Sequence, residues 1–201
     1  MGPTSLIAPS TSAVTASTWL EHTGVPIGTT GNRHSRFTAR PRGTVIAWCL
    51  HLDEVLNIER TRDVDAIVLV RAFEQHAPWI TAHEAEHLGG EFVPTVPEAS
   101  PAIKAMVKGI SLLPIVNQGL ADSRERSMAV QALTYFHDHG HQLNPAQLVT
   151  EAIRNEWPRE SPLELADLAR QINAGKRLRF KRRLVPEVLT EWSNAASRPP
   201  Q

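Results

Sequence analysis

The carboxyl-terminal half of the chain repeats one pattern, in which an apolar helical period lies between residues that begin and end helices. Asn144-Pro145 places an N-cap residue before a proline at the first helical position. Ser161-Pro162-Leu163-Glu164 has the form of a capping box, and Gly175 would end that helix. Further helices are predicted over 82–88, 102–109, 123–137 and 186–193. Because caps and apolar period agree, we expect this half to be helical.

The first 42 residues have a different composition, in which Ser, Thr, Gly and Pro are frequent and apolar periodicity is weak. This composition predicts a flexible tail. The tail would carry a basic arm without acidic residues, formed by Arg33, His34, Arg36, Arg40 and Arg42. A solvated arm is the default interpretation, and an arm that contacts phosphates is the alternative.

Residues 44–76 are the hardest part of the chain to assign. The segment 44–58 places apolar residues on one helical face. Residues 64–73 fit a helix as well, although Ile67-Val68-Leu69-Val70 is a β-branched run that would suit a buried strand. We favour the helix because the pattern exceeds eight residues. The fold class predicted is therefore all-α: a single compact multi-helix domain over 43–195, behind the flexible N-terminal tail and before a disordered 196–201.

Composition excludes several classes of protein. Lys+Arg and Asp+Glu number 21 each, so no overall charge points to a polyanionic partner, and a local patch would have to bind it. Cys49 is the only cysteine, which rules out an intramolecular disulfide and a cysteine-based zinc site. No apolar run approaches the roughly 20 residues of a membrane span. We expect a cytoplasmic protein without a membrane partner.

His83-Glu84-Ala85-Glu86-His87 matches H-E-x-x-H and resembles the zinc-binding helix of the zincin metallopeptidases. Histidines at i and i+4 share a helical face and can bind one Zn²⁺. The resemblance implies His83 and His87 as metal ligands and Glu84 as the general base of a zinc-dependent hydrolase. The third ligand stays open among Glu91, Glu98, Glu125, His137, His139 and His141.

Both histidine clusters also have a structural interpretation. Thr81 and Glu84 would form a capping box that leaves both histidines as surface residues, so that no cofactor is needed. In the segment 137–141, histidines near a helix C-terminus complement the helix dipole, and Gly140 suits the position after the cap.

A basic stretch near the carboxyl end is the third candidate site. It contains no acid and seven cations: Arg170, Lys176, Arg177, Arg179, Lys181, Arg182 and Arg183. Such a patch can neutralise phosphates, with Phe180 stacking on a base or packing inward. The favoured prediction is a helical binding protein that contacts nucleic acid, or an acidic protein surface, through 170–183. The zinc hydrolase is the alternative, so catalysis is left open.

Overall fold

The structure, a computed structural model, describes residues 2–31, 34–70, 73–89, 93–112, 120 and 122–197. The chain divides into two compact units, Met1–His76 and Ala77–Gln201. We call the first the sheet unit and the second the helical unit. No helix among the described residues is both long and apolar enough to cross a bilayer.

The sheet unit contains four parallel strands in the order β2-β1-β3-β4. The strands are β1 (Thr4–Ala8), β2 (Ile27–Thr29), β3 (Gly43–Trp48) and β4 (Val64–Val70). The helices are α1 (Thr11–Ala16) and α2 (Leu52–Glu59), with 3₁₀ helices at Thr18–Thr23 and Glu74–His76. The all-α prediction was therefore wrong, as was the flexible tail before residue 43, because four of these elements precede that residue.

Strand β4 shows why the helical interpretation failed. Its β-branched run pairs along its whole length with β3, from Ala66 opposite Thr44 to Val70 opposite Trp48. The strand that satisfies its backbone lies about 20 residues earlier, so a local apolar period cannot reveal it. The helix expected over 44–58 is likewise divided into β3, a turn at Cys49 (φ 51°) and α2.

The sheet unit has its own apolar core and a buried histidine. Leu6 and Ala8 of β1 pack with Val14 and Leu20. His76 is buried, and its Nδ1 accepts a hydrogen bond from the Phe73 N–H at 2.9 Å. Its Nε2 therefore carries the proton and donates to the Leu50 carbonyl at 3.0 Å. Burial lowers the pKa of His76, so the ring is held neutral between the ends of β3 and β4.

The helical unit contains six α-helices among its described residues. They are α3 (Ala77–His83), α4 (Pro101–Ser111), α5 (Ser123–Asp138), α6 (Pro145–Arg154), α7 (Ser161–Asn173) and α8 (Pro186–Ser193). The helices predicted over 102–109, 123–137 and 186–193 are confirmed within a residue or two at each end. Their buried faces form one core around Met106, Leu133, Phe136 and Leu165.

Two of the predicted caps have different outcomes. The Asn144 side chain accepts hydrogen bonds from the Ala146 and Gln147 amides at 2.9 and 3.3 Å, as its N-cap role requires. Ser161 does not cap α7, because it is the first helical residue and is buried. Its hydroxyl instead accepts from the Leu120 amide at 3.1 Å, which ties a loop to α7.

Candidate functional site

The basic residues that follow α7 form a segment outside helices and strands, which we call the cationic strip (residues 176–183). Helix α7 ends at Asn173, and Gly175 turns the chain with a φ of 79° that favours glycine. The strip has no helical or β-sheet backbone pattern, and it ends shortly before α8. A fully extended chain advances about 3.3 Å per residue, so the eight residues of the strip can span at most about 26 Å.

Apolar side chains hold the strip against the helical unit. Leu178 and Phe180 are half-buried and pack against its core, and Leu184, just beyond the strip, is buried. Arg179, between these two anchors, and Lys181, after the second one, are both exposed. The strip is therefore fixed on one side and open to solvent on the other.

Gln131 of α5 fixes the backbone at the end of the strip. Its side chain is 8% exposed. The amide oxygen accepts hydrogen bonds from the N–H groups of Arg183 and Leu184, at 2.8 and 2.9 Å. The amide nitrogen donates to the Leu184 carbonyl at 2.7 Å. One side chain thus supplies three backbone hydrogen bonds, as a neighbouring strand would.

All six charged side chains of the strip are exposed: Lys176, Arg177, Arg179, Lys181, Arg182 and Arg183. None of them forms an ion pair with an Asp or Glu among the residues that the structure describes. Arg170 differs, because it lies on α7 and pairs with Asp167 one turn earlier. The structure therefore places six of the seven predicted basic residues together and leaves Arg170 engaged by a carboxylate.

The H-E-x-x-H segment does not form the helix that its resemblance to zincins implies. Helix α3 begins five residues earlier than predicted and ends at His83, and Glu84 has a φ of 49°. His87 follows in a non-helical stretch, so His83 and His87 do not share a helical face. The capping-box interpretation fails too, because Thr81 lies inside α3 and its hydroxyl accepts from the Val96 amide at 2.8 Å.

The other histidine cluster ends α5 as its structural interpretation predicts. His139 stacks on Tyr135 and its Nδ1 lies 2.7 Å from the Tyr135 carbonyl, while Gly140 takes a φ of 81°. His141 is hydrogen-bonded to Ser193 at 2.7 Å. The described residues contain no group of three His, Cys, Asp or Glu side chains placed to hold a metal, and Glu91 lies outside those residues. Zinc binding stays a prediction without the helical geometry that suggested it.

The basic arm of the first 42 residues is part of the sheet unit. Arg36 pairs with Glu21 and its guanidinium lies 4.7 Å from the centre of the Phe37 ring. Arg33 lies outside the described residues. The arm therefore has at least one cation bound within its own unit, in contrast to the strip.

Sequence reasoning missed two groups of residues. Gln131 interrupts the buried run of α5 between Val130 and Ala132, and a lone amide on a buried face is the signal that could have found it. At the carboxyl edge of the sheet, Thr30 donates to Glu54, whose other oxygen accepts from the His51 amide at 2.8 Å. Finding this second group required the parallel sheet, which the sequence reading lacked.

Comparison with known proteins finds a family similarity, but the description of that family gives no activity. Residues 100–193 match a family model described as a domain of unknown function, DUF1889. The match covers 94 of the 201 residues, from the start of the α4 region through α8, and so includes the strip. No curated protein and no solved structure matches the chain.

Proposed function

We propose that the helical unit binds nucleic acid, and that the cationic strip makes the contact through phosphates. The observation that carries the proposal is the set of six exposed cations without an ion-pair partner among the described residues. Contacts of Lys and Arg with phosphates release counterions, and this release supplies most of the non-specific affinity for nucleic acids.

Anchoring strengthens the case for the strip. Flexible basic tails lose conformational entropy when they order on a partner, at about 1–2 kcal/mol for each backbone residue. Here Leu178 and Phe180 pack on the core and Gln131 bonds the backbone, so much of that cost is met on folding. A preorganised strip should therefore bind more tightly than its charge alone predicts.

The proposal sets the expected salt dependence. If all six cations contact phosphates of a duplex, log K should fall against log salt with a slope of about −5. Reversing three charges in Lys181→Glu, Arg182→Glu and Arg183→Glu should remove about half of that slope and most of the affinity. Fluorescence anisotropy of a labelled 20-base-pair DNA at 50–200 mM salt measures both quantities.

A matched control changes the same number of charges elsewhere in the helical unit. Lys108, Arg124 and Arg126 are exposed and lie outside the strip. Their combined reversal to Glu changes the net charge equally and should weaken binding much less. Equal losses in the two variants would show that net charge, rather than the strip, determines binding.

The other partner considered for the strip is an acidic protein surface. Poly-glutamate serves as its probe in the same assay. Absent DNA and RNA binding at 50 mM salt, together with strip-dependent binding of poly-glutamate, would reject the nucleic-acid proposal in favour of that partner.

A further inference from the structure

Among the described residues of the helical unit, no Phe, Tyr or Trp side chain is exposed. Phe180 is the only aromatic residue of the strip, and its side chain packs against the core. Among the described residues of the unit, the large hydrophobic side chains that are exposed are Leu88, Leu112 and Val185. The Tyr135 ring is stacked under His139, at 3.9 Å between ring centres.

This lack of rings bears on the kind of nucleic acid. Proteins that hold single strands combine a basic groove with aromatic platforms, and each stacked base strengthens binding by about fivefold to 100-fold. Without such platforms among the described residues, a single strand would be bound by charge alone. The comparison between single strand and duplex then depends on charge density.

A duplex has about twice the charge density of a single strand along its axis. Double-stranded DNA carries one phosphate per about 1.7 Å of axis, against about 3.4 Å for one strand. Each neutralised phosphate also counts about 0.9 in the salt slope for a duplex and about 0.7 for a single strand. If the two binding constants are equal at about 1 M salt, six contacts then give the duplex a binding constant on the order of 30-fold larger at 50 mM salt.

The strip also lacks the means to read a base sequence. Direct readout in the major groove uses a helix or a two-stranded ribbon that enters the groove. The strip is a single segment outside helices and strands, and its residues other than Lys and Arg are Leu178 and Phe180, which pack against the core. Phosphate contacts of this kind position a protein on the duplex but carry no sequence information.

Resting on the function proposed above, we infer that the partner is a double helix, which the strip holds by its phosphates without reading base sequence. The strip would lie along the backbone, with its outward cations on successive phosphates. Phe180 would take no part beyond anchoring the chain.

Equilibrium anisotropy with the full chain tests this inference. The probes are a GC-rich 20-base-pair duplex, an AT-rich duplex of the same length, and oligo(dT) of 20 nucleotides, each at 50 and 150 mM salt. We expect both duplexes to bind at least tenfold more tightly than oligo(dT) at 50 mM, and to differ from each other by less than threefold. Oligo(dT) binding as tight as duplex binding, or a tenfold difference between the duplexes, would overturn it.

A second variant tests the role of the ring. Phe180→Leu keeps an apolar anchor and removes the aromatic face, and circular dichroism checks that the variant is folded. The inference expects dissociation constants within twofold of the original for all three probes. A selective fivefold loss for oligo(dT) would show that the ring stacks on bases and would overturn the inference.

These outcomes separate the inference from the function on which it rests. Strip-dependent binding of oligo(dT) and duplex with equal affinity sinks the duplex preference alone. Absence of binding to all three probes at 50 mM salt sinks both.

Discussion

Replacing Gln131 by Met tests whether one buried amide holds the cationic strip in place. Met has a similar length and fills the site without hydrogen bonding, so the change isolates the three bonds to Arg183 and Leu184. A typical intramolecular hydrogen bond contributes about 0.5–1.5 kcal/mol net, so three bonds give about 3 kcal/mol. The carbonyl and N–H of Leu184 are buried with their residue, which keeps the loss near that value unless the strip detaches into water.

Two measurements distinguish these responses. Urea unfolding gives the loss of stability, and hydrogen exchange at the Arg183 and Leu184 amides reports whether the strip has detached. We expect both amides to lose most of their protection in Gln131→Met. Duplex affinity should fall severalfold while the salt slope is retained, because the cations are still present but must be ordered on binding.

A glutamine on a different helix provides the control. Gln147 donates to the carbonyls of Pro97 and Glu98 at 3.2 and 3.0 Å, away from the strip. Gln147→Met should leave exchange at Arg183 and Leu184 unchanged. If Gln131→Met lowers the free energy of unfolding by less than about 0.5 kcal/mol and leaves both amides protected, Gln131 does not hold the strip in place.

Three further predictions concern the cores of the two units. Burial, together with the nearby charge of Asp122, raises the pKa of Glu125, so this carboxyl favours its neutral form, and stability should fall as pH rises from the ordinary pKa of a glutamate through the raised one. Glu125→Gln should flatten that pH dependence and raise the free energy of unfolding by about 1–2 kcal/mol at pH 7.5, measured by urea unfolding, and a decrease would contradict the prediction. The pKa of His76 is shifted in the opposite direction, so its contribution to stability is full above pH 6.5 and is lost as pH falls through the lowered pKa. Proton NMR should show His76 titrating below pH 6.5, and titration at or above that pH would be inconsistent with a buried neutral ring. Gly109→Ala would place a Cβ 2.2 Å from the Trp192 ring, so thermal unfolding should show a loss of about 1–3 kcal/mol despite the better helix former, and a gain would mean that α4 and α8 can separate freely.

The sequence predicted the helical unit well because its signals are local. Proline at the first position of α6 and α8, and the side chain of Asn144 at the cap, act within a few residues of the helix that they begin. Apolar residues every three or four positions then define the buried face without reference to any partner. The exceptions are α3, which begins five residues before its predicted start, and contacts with other elements, such as the hydrogen bond that the Ser161 hydroxyl accepts from the Leu120 amide, 41 residues away in sequence.

The sheet was missed because the strand pairing that forms it is not local. Strand β1 is five residues long, and its central Leu6 pairs with Ile27 on one side and Ile46 on the other. A short central strand of a parallel sheet is buried on both faces, so it shows no alternation, and in a Ser- and Thr-rich segment it resembles a loop. Because the sheet was not predicted, Thr30 and Glu54 could not be recognised as neighbours at its carboxyl edge.

The candidate site lies between these two cases, since the run of charges is visible in the local sequence but the absence of neutralising carboxylates is not. A run of cations can be read from the sequence, but whether carboxylates of the same chain neutralise it depends on the fold. Here the backbone register places Leu178 and Phe180 against the core between exposed cations, and a shift of one residue would turn Arg179 toward the core in place of Phe180. The bonds from Gln131 to Arg183 and Leu184 set that register from a helix about 50 residues earlier. The charges of the strip and the position of its backbone are thus specified by different parts of the sequence, which is why Gln131 is the residue to test first.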